Sequence, residues 1–179
     1  MVEWFVAGTR DAWPIVEFHG RRSGILFPAL SSFMVSLRDA KAMGRMNLFS
    51  TVSGVVLDHG TAVAGAVIKR TVFWTWKSEN IADQTITDAQ GRFVLPAIWR
   101  RSWLGSILPH EPVVEQEILI EHGGRTCVAW RYSKRTYDEN DELYGSPIEL
   151  RCSLENEVVR HHLKQHHLKH DIYGICELP

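Results

Sequence analysis

The sequence predicts a mainly β fold, an antiparallel β-sandwich spanning residues 46–157. Three observations support this prediction. Residues 88–91 read Asp-Ala-Gln-Gly, with Asp first and Gly fourth, as is typical of a type I turn. Gly123 and Gly124 lie between two apolar runs, as in a tight hairpin. Residues 146–152 alternate apolar and polar side chains, which is the period of a half-buried strand.

The first strands are predicted on either side of short turns. Residues 51–57 are rich in β-branched side chains, and the Asp-His-Gly of residues 58–60 ends that run. Residues 66–74 form a second β-rich run. Residues 85–87 and 92–95 flank the Asp-to-Gly turn and are predicted to pair as a hairpin.

The Gly-Gly turn predicts a specific register for its hairpin. It pairs Ile120 with Cys127 and Ile118 with Ala129, and these four side chains then share the core face. Trp130 is placed on the opposite face. This register also predicts that Cys127 is inaccessible to a thiol reagent in the folded protein.

The two ends of the chain differ from the middle. Residues 31–43 carry apolar side chains at helical spacing after a serine cap, which predicts a short amphipathic helix. Residues 1–45 are an N-terminal extension with two interpretations: a non-native start, because Met43 and Met46 offer later ones, or a weakly signal-like segment. Residues 158–179 are predicted to be a His-rich polar tail or marginal helix.

Composition limits the classes of function. The 179 residues are 45% hydrophobic, enough for one domain with an appendage, and no apolar run reaches the roughly 20 residues of a membrane span. A formal net charge of −1 argues against a nucleic-acid partner. The three cysteines are far apart and odd in number, which predicts reduced thiols and a cytoplasmic protein, with the periplasm as the alternative. No cofactor is predicted, and the oligomeric state is left open.

Three segments carry a family resemblance: Ser-Gly-Val-Val at 53–56, Ala-Val-Ala-Gly-Ala-Val at 62–67 and Thr-Asp-Ala-Gln-Gly-Arg-Phe at 87–93. Their pattern resembles the transthyretin-like (prealbumin-like) and carboxypeptidase-regulatory-like sandwiches. With residues 111–114 and 154–158 added, the chain looks like a small uncharacterised bacterial family of such domains. The resemblance implies protein binding, including an immunity protein that neutralises a secreted bacterial toxin. The alternative is an exported structural or carbohydrate-facing accessory domain.

No catalytic residues are predicted, and the protein is expected not to be an enzyme. The transthyretin-related hydrolases that the fold resembles use paired histidines, an arginine and a C-terminal Tyr-Arg-Gly-Ser, whereas this chain ends Cys-Glu-Leu-Pro. His59, His110 and His122 fall in predicted turns or loops, which does not provide the positioned partners of general acid-base catalysis.

Two segments remain as candidate sites. Trp99, Arg100, Arg101 and Trp103 are predicted to bind a partner, because exposed aromatic and arginine side chains dominate protein interfaces. The alternative is that Trp99 and Trp103 fold back as a lid over the open end of the sandwich. No metal site is favoured. A weaker alternative is that His162, His166 and His170, at steps of four residues, share a helix face and bind a metal.

Overall fold

The computed structural model of the protein describes residues 44–165 and 168–178, and its regular structure is mainly β. One five-residue helix, α1 (Trp103–Ile107), interrupts the strands. The strands are β1 (Arg45–Phe49), β2 (Val52–Asp58), β3 (Thr61–Ala62), β4 (Val67–Trp74), β5 (Glu79–Ile86), β6 (Arg92–Leu95), β7 (Ile98–Arg101), β8 (Val114–His122), β9 (Arg125–Lys134), β10 (Ile148–Ser153), β11 (Val159–Gln165), β12 (Leu168–Gly174) and β13 (Cys176–Glu177).

The strands form two large sheets and a short ribbon. The larger sheet is antiparallel, with the order β11-β12-β9-β8-β4-β5. The smaller sheet has the order β13-β10-β2-β3, and β6 also pairs with β2; here β2 and β10 run parallel, whereas the other pairs are antiparallel. β1 and β7 form the ribbon. A single buried cluster combines side chains of both large sheets, so the predicted mainly β sandwich is confirmed, but the parallel pairing of β2 with β10 departs from the predicted antiparallel arrangement.

Alternation explains how each strand contributes to this core. In β4, the side chains of Ile68, Val72 and Trp74 are buried while Thr71 is exposed, so one face of the strand packs inward. Gly54 in β2 is needed for close packing. A Cβ at this position would lie 2.7 Å from the Leu150 carbonyl oxygen and 2.8 Å from the Phe93 ring.

The two predicted turns are present, but the first does not join a hairpin. β5 pairs with β4 in the larger sheet and β6 pairs with β2 in the smaller one, so the predicted pairing of residues 85–87 with 92–95 is wrong and the turn crosses between the sheets. The Asp88 carboxylate accepts hydrogen bonds from the backbone amides of Gln90 and Arg92, at 2.9 and 2.8 Å. Gly91 has a φ of +71°, and its amide donates to the Asp88 carbonyl. Gly123 and Gly124 have φ values of +55° and +75°, a left-handed conformation that glycine adopts without steric cost.

The predicted register of the Gly-Gly hairpin is correct at its end and wrong further along. Ile120 pairs with Cys127 as expected, but Ile118 pairs with Trp130 rather than with Ala129. A β-bulge between Ile118 and Leu119 shifts the register, and such a bulge places two residues opposite one. Trp130 therefore points into the core and is fully buried, contrary to the prediction.

The C-terminal segment is not a tail or a helix, because β11, β12 and β13 extend the sheets through it. Buried Ile172, Ile175 and Cys176 attach it to the core. In the β11–β12 hairpin, His162 pairs with Asp171 and His170 with Leu163, so the register puts the two histidine positions on opposite faces. The prediction of a metal site on one helix face is therefore wrong, because these histidines lie in a β-hairpin. His166 and the helix predicted at 31–43 lie outside the described residues.

The cysteines also differ from the prediction. Cys152 in β10 and Cys176 in β13 are directly opposite each other and form a disulfide, so the prediction of reduced thiols is wrong for this pair. The two cysteines are 24 residues apart in the sequence. Their pairing depends on β13 returning to the edge of the small sheet, which the sequence pattern does not indicate. Cys127 is not in a disulfide and is half-buried against the core.

Candidate interaction surface

The ribbon of β1 and β7 brings two arginines together. Arg45 and Arg101 are directly opposite each other across this antiparallel pair, and both are exposed. Like charges in this arrangement repel each other. Neither arginine forms an ion pair with a carboxylate within the part of the chain that the structure describes. The ribbon therefore presents a concentrated positive charge to solvent.

The predicted partner-binding residues lie together, but they have different surroundings. Trp99 is half-buried, and the Arg45 guanidinium lies 4.1 Å from the centre of its ring, a cation-π contact. The guanidinium of Arg100 is 2.9 Å from a Glu79 carboxylate oxygen. Arg101 and Trp103 are exposed, Trp103 to 71%. The exposed half of the predicted set is therefore Arg101 and Trp103.

Helix α1 follows the ribbon directly and presents apolar side chains. The Ser102 hydroxyl caps it by accepting a hydrogen bond from the Gly105 amide at 3.0 Å. Leu104 and Leu108 are 48% and 50% exposed. We use the name rim surface for the exposed residues of the ribbon and helix: Arg45, Arg101, Trp103, Leu104 and Leu108.

Close packing holds α1 against the sandwich. A Cβ at Gly105 would lie 2.7 Å from the Met46 methyl carbon and 3.0 Å from the Trp76 ring nitrogen. Only glycine therefore permits this approach without displacing its neighbours. The apolar side chains of the rim surface therefore lie on and just after a short helix that packs against the core.

A chain of hydrogen bonds supports the segment that follows the helix. The ring of His110 stacks on Trp76 with the centroids 4.0 Å apart, and its Nε2 lies 2.9 Å from the Tyr137 hydroxyl. Trp74 Nε1 donates to that same hydroxyl at 3.0 Å. Because the carbonyl of Leu108 can only accept, His110 donates to it through Nδ1. Burial raises the pKa of Tyr137, which keeps its hydroxyl protonated as a donor.

A buried polar cluster lies beneath the ribbon. Lys134 and Glu142 are fully buried, with 3.1 Å between Nζ and Oε1. Lys134 also donates to Asn47 at 2.7 Å. The carboxylate of Glu142 accepts from the Ser50 amide and hydroxyl, at 3.0 and 2.7 Å, and from Gln116 Nε2 at 2.9 Å. These bonds attach β1 to the large sheet and to the loop before β10.

The pKa values in this cluster reflect competing effects. Burial alone would raise the pKa of Glu142, but the Lys134 ammonium and the donors on Gln116 and Ser50 outweigh it, so that the pKa is lowered. Burial lowers the pKa of Lys134 despite the opposing effect of Glu142. The pair is held as an ammonium and a carboxylate with both carboxylate oxygens and the ammonium nitrogen bonded, and it is a structural element rather than an accessible site.

The three histidines that the sequence placed in turns or loops of the domain lie in separate places. His59 is in the turn between β2 and β3, His110 precedes β8, and His122 ends β8. Sequence reasoning missed Arg45, which it assigned to the extension, and the exposed Leu104 and Leu108. The pairing of β1 with β7 makes Arg45 part of the rim surface, and no local pattern indicates such a pairing.

These features define a β-sandwich domain with a basic and apolar rim surface. No helix in the ranges 44–165 and 168–178 is long and apolar enough to cross a bilayer. The family described as "Domain of unknown function (DUF6795)" matches residues 52–157, which is more than half of the chain, and the protein belongs to this family. No curated protein and no solved structure matches the chain.

Proposed function

We propose that this protein is a binding module rather than an enzyme, and that its rim surface engages an acidic, partly apolar surface of a protein partner. The observation that carries the proposal is the cross-strand pair of Arg45 and Arg101. Both side chains are exposed and like-charged, and neither forms an ion pair with a carboxylate of the described residues. An acidic partner would relieve their repulsion. Trp103, Leu104 and Leu108 provide the apolar contacts beside them.

Charge and shape together favour a protein partner over nucleic acid. The exposed apolar side chains of α1 adjoin the arginines, and interfaces between proteins combine arginine and aromatic anchors in this way. The net charge of −1 gives no extended basic field for a phosphate backbone. A bacterial toxin neutralised by an immunity protein is one partner of this class.

The first test uses a defined acidic probe. Poly-L-glutamate is titrated into the full chain at low salt while tryptophan fluorescence is recorded, with single-stranded oligothymidylate as the comparison. We expect binding of poly-L-glutamate that weakens with salt and is lost in Arg45→Glu/Arg101→Glu. The control is Arg92→Glu/Arg151→Glu on the small sheet. Equal binding by both double variants, or preference for the oligonucleotide, would contradict the proposal.

The second test uses the natural partner. Proteins that co-purify with the full chain from its source are identified by mass spectrometry, and their affinity for wild type and variants is measured with purified components. Trp103→Ala should weaken binding by about 2 kcal/mol, roughly 30-fold, as hot-spot truncations do. The urea midpoint of this variant is measured alongside, so that any loss of stability is separated from the loss of binding.

A second candidate is an exported accessory domain, which the Cys152–Cys176 disulfide favours. Disulfides persist in oxidising compartments and are rare in the cytosol. We therefore propose an oxidising compartment such as the periplasm over the cytoplasm. Fractionation of acid-quenched cells, followed by alkylation in denaturant, tests this proposal, because both cysteines are buried in the folded protein and a cytoplasmic protein would then carry alkylated Cys152 and Cys176.

We also propose that the sandwich is of the transthyretin-like type. Its support is that the residues carrying the resemblance take structural roles: Gly54 admits the Phe93 ring, Gly91 closes a turn, and Ala66 is buried where β4 begins. An experimental structure with a different strand order in the small sheet would contradict it.

A further inference from the structure

Three side chains with metal-binding atoms meet at one end of the small sheet. β2 ends at Asp58, and the turn of His59 and Gly60 returns the chain into β3. Glu155 follows β10, and because β10 runs parallel to β2, both strands end at the same edge. One ligand atom from each of Asp58, His59 and Glu155 lies within 4.8 Å of the other two.

A separate observation indicates that a cation belongs here. Although the Asp58 side chain is 41% exposed as a whole, its Oδ1 is screened from solvent and accepts no hydrogen bond from residues 44–165 and 168–178. His59 Nε2 is 3.8 Å away, which is beyond hydrogen-bonding distance. An acceptor that has lost water without gaining a donor is unfavourable, and such groups are rare in folded proteins. A metal ion between the carboxylate and the imidazole would satisfy this oxygen.

We propose that Asp58, His59 and Glu155 form a binding site for a divalent transition-metal ion, with zinc as the best fit. One imidazole nitrogen and two carboxylate oxygens are zinc ligands, and water would complete the coordination. The imidazole disfavours magnesium and calcium, which prefer oxygen ligands. Two carboxylates and a neutral imidazole also balance the charge of a divalent ion.

The geometry requires a small adjustment. Bonds of about 2.0 Å at a tetrahedral zinc place ligand atoms about 3.3 Å apart. Contraction from the present spacing is available because the His59 side chain is 83% exposed and Glu155 is also exposed. Arg125 opposes the ion, since its charge acts on Glu155 and its guanidinium donates to the Leu154 carbonyl. The site therefore binds more weakly than a closed structural zinc site.

Ion binding would link the β2–β3 turn to the segment after β10 more firmly. A hydrogen bond of 3.2 Å from the His59 amide to the Glu155 carboxylate already joins the two. A ligand that binds only the folded state raises the temperature of unfolding. Zinc should therefore raise the Tm of the wild-type protein in proportion to the logarithm of its free concentration.

The test is calorimetric titration of the EDTA-treated full chain with zinc chloride, with Tm measured in parallel. We expect one ion per chain at this site, and affinity at least about tenfold lower in His59→Gln and Glu155→Gln, since losing even an outer-shell partner costs that much. His122→Gln and His162→Gln are the controls and should bind as wild type. The Tm of each variant without metal is its own baseline for the shift caused by zinc, because Glu155 and His162 each make a contact in the folded protein.

Two results would overturn the proposal. The first is the absence of zinc binding, or of a Tm shift, at millimolar zinc. The second is binding that His59→Gln leaves unchanged, and its loss in His162→Gln would assign the ion to the β11–β12 hairpin instead. Neither result bears on the rim surface, which is formed by other strands.

Discussion

Removal of the buried carboxylate at Glu142 should be one of the most destabilising single substitutions in the protein. Glu142→Gln keeps the shape of the side chain but removes the negative charge beside Lys134, whose side chain is 0% exposed. Leaving one charge of a buried pair without its partner costs about 3–5 kcal/mol. We therefore expect Glu142→Gln to lower the free energy of unfolding by about that amount.

A double-mutant cycle separates the charge from the hydrogen bonds. Lys134→Met removes the ammonium, so that the new amide at position 142 no longer faces an unpaired charge in the double variant. That amide retains part of the hydrogen bonding to Ser50 and Gln116. The double variant should be more stable than the sum of the two single effects predicts, by a coupling of about 1–3 kcal/mol.

Urea unfolding followed by tryptophan fluorescence is the assay, with the m-value checked for constancy. Glu117→Gln is the matched control, because Glu117 pairs with Arg131 on the outer face of the same sheet and such exposed pairs contribute less than about 1 kcal/mol. A loss below about 1 kcal/mol in Glu142→Gln would refute the description of this pair as charged and fully buried.

Three further outcomes are expected. The pKa of Glu142 is lower in the folded than in the unfolded protein, so its carboxylate stabilises the fold at pH values above the unfolded pKa. This stabilisation is lost as the pH falls through the folded pKa. The urea midpoint of Glu142→Gln should therefore lack this loss at acid pH. Gly54→Ala should lower the free energy of unfolding by about 1–3 kcal/mol, because its methyl group would overlap the Phe93 ring and a backbone carbonyl. The control, Ala82→Gly on the exposed face of β5, should cost only about 1 kcal/mol. Both are measured by urea unfolding. Denatured, unreduced protein should contain one thiol by Ellman's assay, from Cys127, and three would disprove the disulfide.

Local chemistry made several parts of the fold predictable. The Asp88 carboxylate and Gly91 form their turn through contacts within five residues, so the turn is visible in the sequence. The same holds for the end of the Gly-Gly hairpin. The bulge at Ile118 was not predictable, because it depends on how Trp130 fits between the sheets and donates to Gln116.

The strands of the C-terminal segment, by contrast, could not be predicted from local chemistry. Its apolar residues are sparse, so its amphipathic signal is weak, yet Ile172 and Cys176 are buried because existing sheet edges accept them. A strand that adds to a preformed edge needs less intrinsic propensity than an isolated one. In the segment predicted to bind a partner, residue types alone do not separate exposed Trp103 from half-buried Trp99. The two rings differ because Trp99 lies in β7, paired with β1, whereas Trp103 begins α1.

The sequence by itself determined the mainly β class and the positions of its tight turns, because glycine conformation, side-chain caps and alternation act between neighbouring residues. Only the tertiary structure decided which residues meet: Arg45 with Arg101, Lys134 with Glu142, and Cys152 with Cys176. Each of these pairs requires a particular arrangement of strands and loops, whatever the separation of its members along the chain. Strand order is determined by the burial of whole apolar faces to which several segments contribute, so it cannot be predicted from any short stretch of sequence.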